Sequence, residues 1–493
     1  MEISKNLEHN IKYIESLFEN SGDIIKRKFP IGEEKSIWAY IILIDNLASA
    51  QLIESAVIHP LIYNIRRTRP NISYTTEDIL EALVHGGIMA TDLREETDFN
   101  ATLHAVLSGD TAFFLDGVNK ALIIASRGWA SRGVPTAETE IVVQGSKEAF
   151  SESMRTNTML LRRRVKDVNL VVFQEIIGNR TKTDIALVYL KDRVRTQVLT
   201  EVKKRLAKIN TDAIFDIGYL EQFIEDDFLS PFPQGQVTER PDKAASAILE
   251  GRIVIVADNS PFVLIVPCVL SCFFQSPEDY YGRFEIMSLS RMLRYFAAII
   301  ATVLPGLYLS IALYSPNMIP TELLLAMTQS RESVPFPAII EILLMDTAFE
   351  LLREAGIRLP SAIGSTIGVV GGIIIGQAAV EAGLVSPIVV IIIALTAICG
   401  FTLPSINLTA GVRISKYLLI AGGAFLGLLG FWIGVLIILI HLASLKSFGF
   451  PYLYPFVSAN LSNNKDIRDT IIRPPLFLLG KKSIFSKRDG DEE

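Results

Sequence analysis

The chain has 493 residues, 50% of them hydrophobic and 20% charged, with a mean hydropathy of +0.37. That mixture excludes a wholly soluble protein and a wholly membrane-embedded one, and a net charge of −6 leaves no dominant basic face for nucleic acid. The two kinds of residue are segregated, with nearly all the charge before residue 295 or after residue 445 and the long apolar runs between. Three cysteines, Cys268, Cys272 and Cys399, form neither a disulfide framework nor a CxxC pair and read as buried packing residues.

In chain order, residues 1–33 read as an amphipathic lead helix with a tail. Charges are spread through its start with no apolar signal-peptide core, so the soluble region reads as cytoplasmic. KSIWAYIILID ends in Asp45 and precedes a helical pattern, and TDIALVYLKD ends in Asp192 and precedes another. LHAVLSGDTAFFLDGVNKALIIAS runs helix, Gly109, strand, Asp116-Gly117 turn, strand; ASAILEGRIVIVADNSPFVLIVP repeats this with Gly251 and Asp258-Asn259. Glycine suits a helix C-terminus, and Asp-Gly or Asp-Asn suits a hairpin. The offset of both matches is roughly 145 residues, which predicts two α/β subdomains, 34–145 and 146–275. The element joining them carries Arg162, Arg163 and Arg164, which suit a helix C-terminus with a solvated face or, alternatively, acidic lipid headgroups or a partner. No GxxxxGK[ST], GxGxxG or Gly-x-Ser-x-Gly occurs, and His9, His59, His85, His104 and His441 have no metal-ligand spacing. Asp45 and Asp192 read as caps of the helices that follow. No catalytic residue, metal site or cofactor is predicted.

A transmembrane domain is expected over 276–446, with spans near 292–314, 361–383, 386–403 and 417–442. Between the first two, an amphipathic helix at 336–357 carries Glu341, Asp346 and Glu350. At about 2.5–3.5 kcal/mol per central charge its acids outweigh its apolar residues, so it reads as interfacial or re-entrant. Asp346, Glu350 and Glu354 suit an acidic vestibule if copies form a ring, or equally a plain surface helix. In the span 361–383, Gly364, Gly368, Gly372 and Gly376 lie on one side as a packing face. Thr366, Val370, Ile373, Gln377 and Glu381 fall on the other, which reads either as a pore lining or as part of a tightly packed structural span. In the last span Gly423, Gly427, Gly430 and Gly434 read as one packing face. Four spans put both chain ends on the cytoplasmic side but place Arg413 and Lys416 outside, against the positive-inside tendency; counting the acidic helix as a fifth span cures that but puts the C-terminal tail, with Lys481 and Lys482, outside. The tail, 447–493, ends in the mixed-charge run KKSIFSKRDGDEE and reads as mobile.

The expected fold is therefore an α+β membrane protein: a cytoplasmic N-terminal pair of duplicated α/β subdomains, then an all-α transmembrane domain of about four spans plus an amphipathic helix. Several long motifs carry a family resemblance: SMRTNTMLLRRRVKD, PQGQVTERPDKAASAILEGRIVIVADNSPFVLIVP, ESVPFPAIIEILLMDTAFELLREAGIRLP, GQAAVEAGLVSP and FGFPYLYPF. They resemble the A subunit of the GerA family of spore germinant receptors, over roughly residues 30 to 456. The resemblance implies a subunit of the bacterial spore inner membrane. It acts with a transporter-like nutrient-recognising membrane subunit and a lipoprotein, and forms a homo-oligomer, a pentamer, that is a nutrient-gated ion channel. Val370 and Ile373 would then be a hydrophobic constriction. A non-conducting signalling scaffold and a solute transporter are the alternatives, and no inverted repeat supports the last.

Overall fold

The computed structural model describes residues 2–31, 37–59, 61, 76, 80, 92–128, 135–358, 372, 374–457, 469–478 and 483–487. The chain divides into two compact units. The first comprises Met1–Glu225, Gly235–Pro267 and Lys481–Glu493; the second comprises Asp226–Gln234 and Cys268–Gly480.

In the first unit the two segments matched in the sequence fold alike. One holds α1 (Leu7–Leu17), β1 (Ile24–Ile31), β2 (Ile37–Ile44), α2 (Ala50–Ile53), β3 (Leu93–Glu96), α3 (Phe99–Leu107), β4 (Thr111–Leu115) and β5 (Ala121–Ile124). The other holds α4 (Met154–Arg164), β6 (Leu170–Ile177), β7 (Thr183–Leu190), α5 (Thr196–Ala207), α6 (Ile217–Ile224), β8 (Gln236–Thr238), α7 (Pro241–Leu249), β9 (Ile253–Ala257) and β10 (Val263–Val266). The sheets have the same order, β1-β2-β4-β5-β3 and β6-β7-β9-β10-β8. Strand β2 alternates between two cores: Tyr40, Ile42 and Ile44 join one shared by both repeats, while Ala39, Ile41 and Leu43 join one confined to the first. Burial on both faces explains its unbroken apolar run.

The lead helix belongs to this repeat, since α1 and α4 are held alike. The hairpin aspartates accept from their first turns, Asp116 Oδ1 from Leu7 N at 3.2 Å and Asp258 Oδ1 from Met154 N at 3.0 Å. Gly109 and Gly251 follow α3 and α7 with φ of 99° and 90°, a conformation that favours glycine after a helix. The expected caps at Asp45 and Asp192 are corrected. Ser49 caps α2, and α5 starts after Arg195 with no side-chain cap. A cap must directly precede the first turn, and both aspartates lie too early in the chain.

The arginine run is not a solvated face. Arg162 is fully buried and makes a two-bond pair with Asp23 (2.8 and 2.9 Å), tying the second repeat to the first. Arg163 and Arg164 both bind Glu148 at 2.5 Å. Burial pushes the Glu148 carboxyl up, but these hydrogen bonds outweigh it and hold the group below its ordinary value. Part of the tail is also placed. Ser486 bridges Val194, Lys487 N donates to Arg193 O at 2.7 Å, and Arg195 Nη2 donates to Ile484 O at 2.6 Å. A side chain at Gly251 would meet Ser486 Cα at 2.8 Å, so this strap needs the glycine.

In the second unit α8 (Glu278–Tyr281) precedes α9 (Phe284–Tyr314), a helix of 31 residues running through Pro305. Then come α10 (Thr321–Arg331), α11 (Ala338–Arg358), α12 (Pro387–Phe401) and α13 (Ile406–Ser444). By length and composition α9 and α13 are apolar enough to cross a membrane. The segment expected as one crossing at 417–442, however, is broken by Gly427, whose φ of 65° and ψ of −145° are not helical. A side chain at Gly422 would stand 2.6 Å from Gly430 O, and one at Gly434 would stand 2.8 Å from Leu419 Cδ2. Residues eight apart on a straight helix are separated by about 12 Å, so the two limbs, 406–426 and 428–444, run antiparallel. They measure about 30 Å and about 25 Å. Both limbs meet the loop 226–234: Ser230 Oγ lies 2.9 Å from His441 Nε2, and a side chain at Gly411 would stand 2.7 Å from Pro231 O. Tyr314, at the end of α9, hydrogen-bonds Ala424 O at 2.9 Å beside the turn. The glycines do not form one packing face. Gly427 turns the chain, Gly422 and Gly430 let the limbs close, and Gly423 admits α9 at Gly306.

Candidate functional site

Helix α11 carries the acids that the sequence reading treats as too costly for a membrane helix. Each has a cation, and three of those cations belong to other helices. Glu341 is fully buried, with Arg331 Nη2 at 3.2 Å and Ser386 N donating to its Oε2 at 2.8 Å. Asp346 binds Lys416 at 2.5 Å, both side chains 4% exposed. Glu350 takes Arg413 at 3.1 Å and Arg353 at 2.8 Å. Asp346 and Glu350 are one turn apart on α11, and Lys416 and Arg413 are one turn apart, in reverse order, on the first limb of α13. Antiparallel packing matches the pairs. Helix α11 thus packs among its neighbours through these pairs, and summing one helix at a time omits its partners. The same pairing accounts for Arg413 and Lys416, the cations that a four-span count places on the wrong side.

Asp346 is therefore sealed into an ion pair, which takes it out of a water-filled vestibule. Glu354 is half exposed and paired with Arg358 at 2.6 Å. What the sequence reading missed is the partnership, and its one signal was two cations in an otherwise apolar run.

Thr366, Val370, Ile373, Gly364 and Gly368 lie outside the described residues. The helical turns at 374–381 are described. Gly376 and Ala379 are buried, and a side chain at Gly376 would stand 3.4 Å from Val390 Cγ1 of α12. At Gly372 it would meet nothing within 4 Å. Gln377 and Glu381 are both exposed, and Gln377 Nε2 donates to Glu381 Oε1 at 2.8 Å. Glycine packing and the polar pair fall on different sides of these turns. Cys268, Cys272 and Cys399 are buried and form no disulfide. Among the described residues no three His, Cys, Asp or Glu side chains are placed to hold a metal ion.

The model of the family described as Bacillus/Clostridium GerA spore germination protein matches residues 12–484. The chain belongs to the GerA family. Spore germination protein KA of Bacillus subtilis (strain 168) is 39% identical over 491 residues, 99% of this chain and 88% of that one. Spore germination protein A1 of the same organism is 41% identical over 385 residues, 78% and 79% of the two chains. Among solved structures, the N-terminal domain of the A subunit of the Bacillus megaterium spore germinant receptor GerK3 is 32% identical. It matches with a TM-score of 0.43, covering 55% of this chain and 98% of that one. The chain is a membrane protein with a mixed α/β N-terminal region and a helical C-terminal region, as GerA membership, the two sheets and the apolar helices together indicate.

Proposed function

We propose that this GerA-family chain is the A subunit of a nutrient-responsive germinant receptor in the spore inner membrane. Copies of it assemble, as a pentamer, around a cation pathway lined by Thr366, Val370, Ile373, Gln377 and Glu381. A transporter-like subunit recognises the nutrient and a lipoprotein completes the receptor, and the first unit lies in the cytoplasm. One observation carries the pore reading: Gln377 and Glu381 are exposed on a helical segment whose neighbouring residues are apolar. Glu381 ends its helix, and a carboxylate is costly wherever it faces hydrocarbon, so this face meets water or another subunit. A lining on the outside of one chain requires several chains to enclose it. Of the three acids read as a vestibule, the proposal keeps Glu354, because it is exposed.

The test is ion leak from vesicles carrying the assembled chain. Val370→Ala, which shortens the side chain and widens the constriction, is expected to leak without nutrient, and the parent is not. Cysteines at Gln377 and Glu381 are expected to react with a water-borne thiol reagent, and one at buried Ala379 is not. Silence from inserted, assembled Val370→Ala, with all three cysteines protected, would replace the pore by a signalling scaffold.

A further inference from the structure

The second unit contains a cavity of about 410 Å³ between α9, the two limbs of α13 and the loop 226–234. That size falls within the roughly 300–1,000 Å³ typical of ligand pockets. Its walls are almost wholly apolar, with Phe232, Phe274, Val303, Val412 and Leu442 among them. Two hydroxyls on the wall are already committed. Thr302 Oγ1 donates to Ala298 O at 2.8 Å and Ser415 Oγ to Gly411 O at 2.9 Å. Ile299 and Leu439 also line it, yet they are 60% and 51% exposed. The cavity therefore opens sideways onto the apolar surface of the bundle.

One part of the lining is polar. Tyr295 lines the cavity, its ring stacked on Phe274 at 4.0 Å, and its hydroxyl is buried without a hydrogen-bond partner. One turn earlier on α9, Arg291 binds Asp279 (3.1 Å) and Asp469 (3.0 Å), and its Nη2 is buried without a partner. Arg294 shares Asp279 at 2.8 Å and donates to Phe274 O at 3.0 Å. Arg473 lies 5.9 Å from the Tyr280 ring that Arg291 also faces at 5.6 Å, and its Nε is buried without a partner. Among the described residues the Tyr295 hydroxyl, Arg291 Nη2 and Arg473 Nε have no acceptor, and the five charged groups, three arginines and two aspartates, leave one positive charge uncompensated. Buried donors without acceptors are rare, and a bound anion or water would satisfy these.

An apolar slot open to the bilayer, with surplus positive charge and unmet donors by Tyr295, fits one kind of occupant. We propose that the second unit binds an anionic phospholipid. One acyl chain fills the slot between α9 and the α13 limbs, and the headgroup phosphate lies on the Tyr295–Arg291–Arg473 side. An apolar cavity of this kind does not hold water stably and takes up an apolar guest, which an acyl chain of the membrane supplies. The site does not rest on the pore reading.

The experiment uses the full chain in phosphatidylcholine vesicles doped with phosphatidylglycerol carrying a diazirine in one acyl chain, photolysed and mapped by peptide. Label is expected in the peptides bearing Ala298–Val303 and Val435–Leu442, about fivefold above that from a diazirine phosphatidylcholine. Ala298→Phe, which fills the slot, is expected to remove this label and leave that on the outward-facing Leu429 peptide. Thr302→Met does the same should Ala298→Phe fail to assemble. Tyr295→Phe combined with Arg473→Gln is expected to bring the two lipids level. Cavity label that survives both filling variants, or that never distinguishes the lipids, overturns the proposal. So does a cross-link from a second copy of the chain in place of lipid.

Discussion

Both units bury charge, and they do it on different scales. In the first, Arg162 reaches Asp23 from the helix that opens the second repeat, and hairpin aspartates hold the ends of α1 and α4. Those pairs sit inside a pattern of strands and turns that repeats along the chain. In the second, Asp346 and Glu341 sit on one helix while Lys416 and Arg331 come from others, with no repeat to announce them. The repeat locates the hairpin aspartates, but the ion pairs of both units join residues distant in sequence, 139 apart for Arg162 and Asp23 and 70 apart for Lys416 and Asp346, and are located only in space.

The sharpest way to break this contrast is to remove one partner from each unit. Lys416→Met leaves Asp346 buried alone and is expected to cost about 3–5 kcal/mol, seen as loss of assembled protein in membranes. The double variant Lys416→Met/Asp346→Leu should recover most of it; failure to recover would mean that the pair does more than neutralise. Arg162→Met leaves Asp23 buried alone and is expected to cost about 3 kcal/mol, the lower end of the same range. Its measure is the thermal unfolding of the full chain, with Asp23→Asn in the same background restoring part of the loss.

A smaller effect separates packing from charge. Gly423→Ala puts a methyl against the Gly306 carbonyl, a backbone atom that cannot swing away. It is expected to cost about 1–3 kcal/mol and to loosen α9 from the first limb of α13, which hydrogen exchange at Tyr314 would report. Gly372→Ala meets open space and should cost nothing in the isolated chain.

The smallest expected change is a pH effect in the first unit. Burial, together with Glu225 and Asp216, pushes the Glu221 carboxyl up to about 8. A folded-state value above the unfolded one means that the folded chain holds the proton more tightly. Stability from this group is complete below the unfolded value of 4.5 and is lost as pH rises through about 8. Glu221→Gln should flatten that slope, so melting curves at pH 6 and pH 8 should lie closer together than in the parent. Unchanged curves would show that water reaches the carboxyl.

The same contrast explains what could be read from the residues. Gly109, Asp116-Gly117, Gly251 and Asp258-Asn259 punctuate apolar runs, and each mark falls where a turn is needed, so the repeated sheets were legible. The lead helix escaped because its counterpart α4 was read as a connector. In the membrane half, Gly427 turns the chain while Gly423 and Gly430 pack it, and all three stand in the same aliphatic surroundings. Nothing local tells a glycine that bends from one that yields space. The acids of α11 were visible, and their cost in hydrocarbon is high, but the cations that pair with Glu350 and Asp346 lie 63 and 70 residues downstream on another helix.

The short strap at Ser486 has a consequence for topology. The chain leaves the first unit to build the helices of the second and comes back to the first at residues 483–487. A path that departs from a body and returns to it pierces any intervening membrane an even number of times, however many helices are counted. Probes placed beside Asn210 and beside Ser486 should therefore always sample the same compartment.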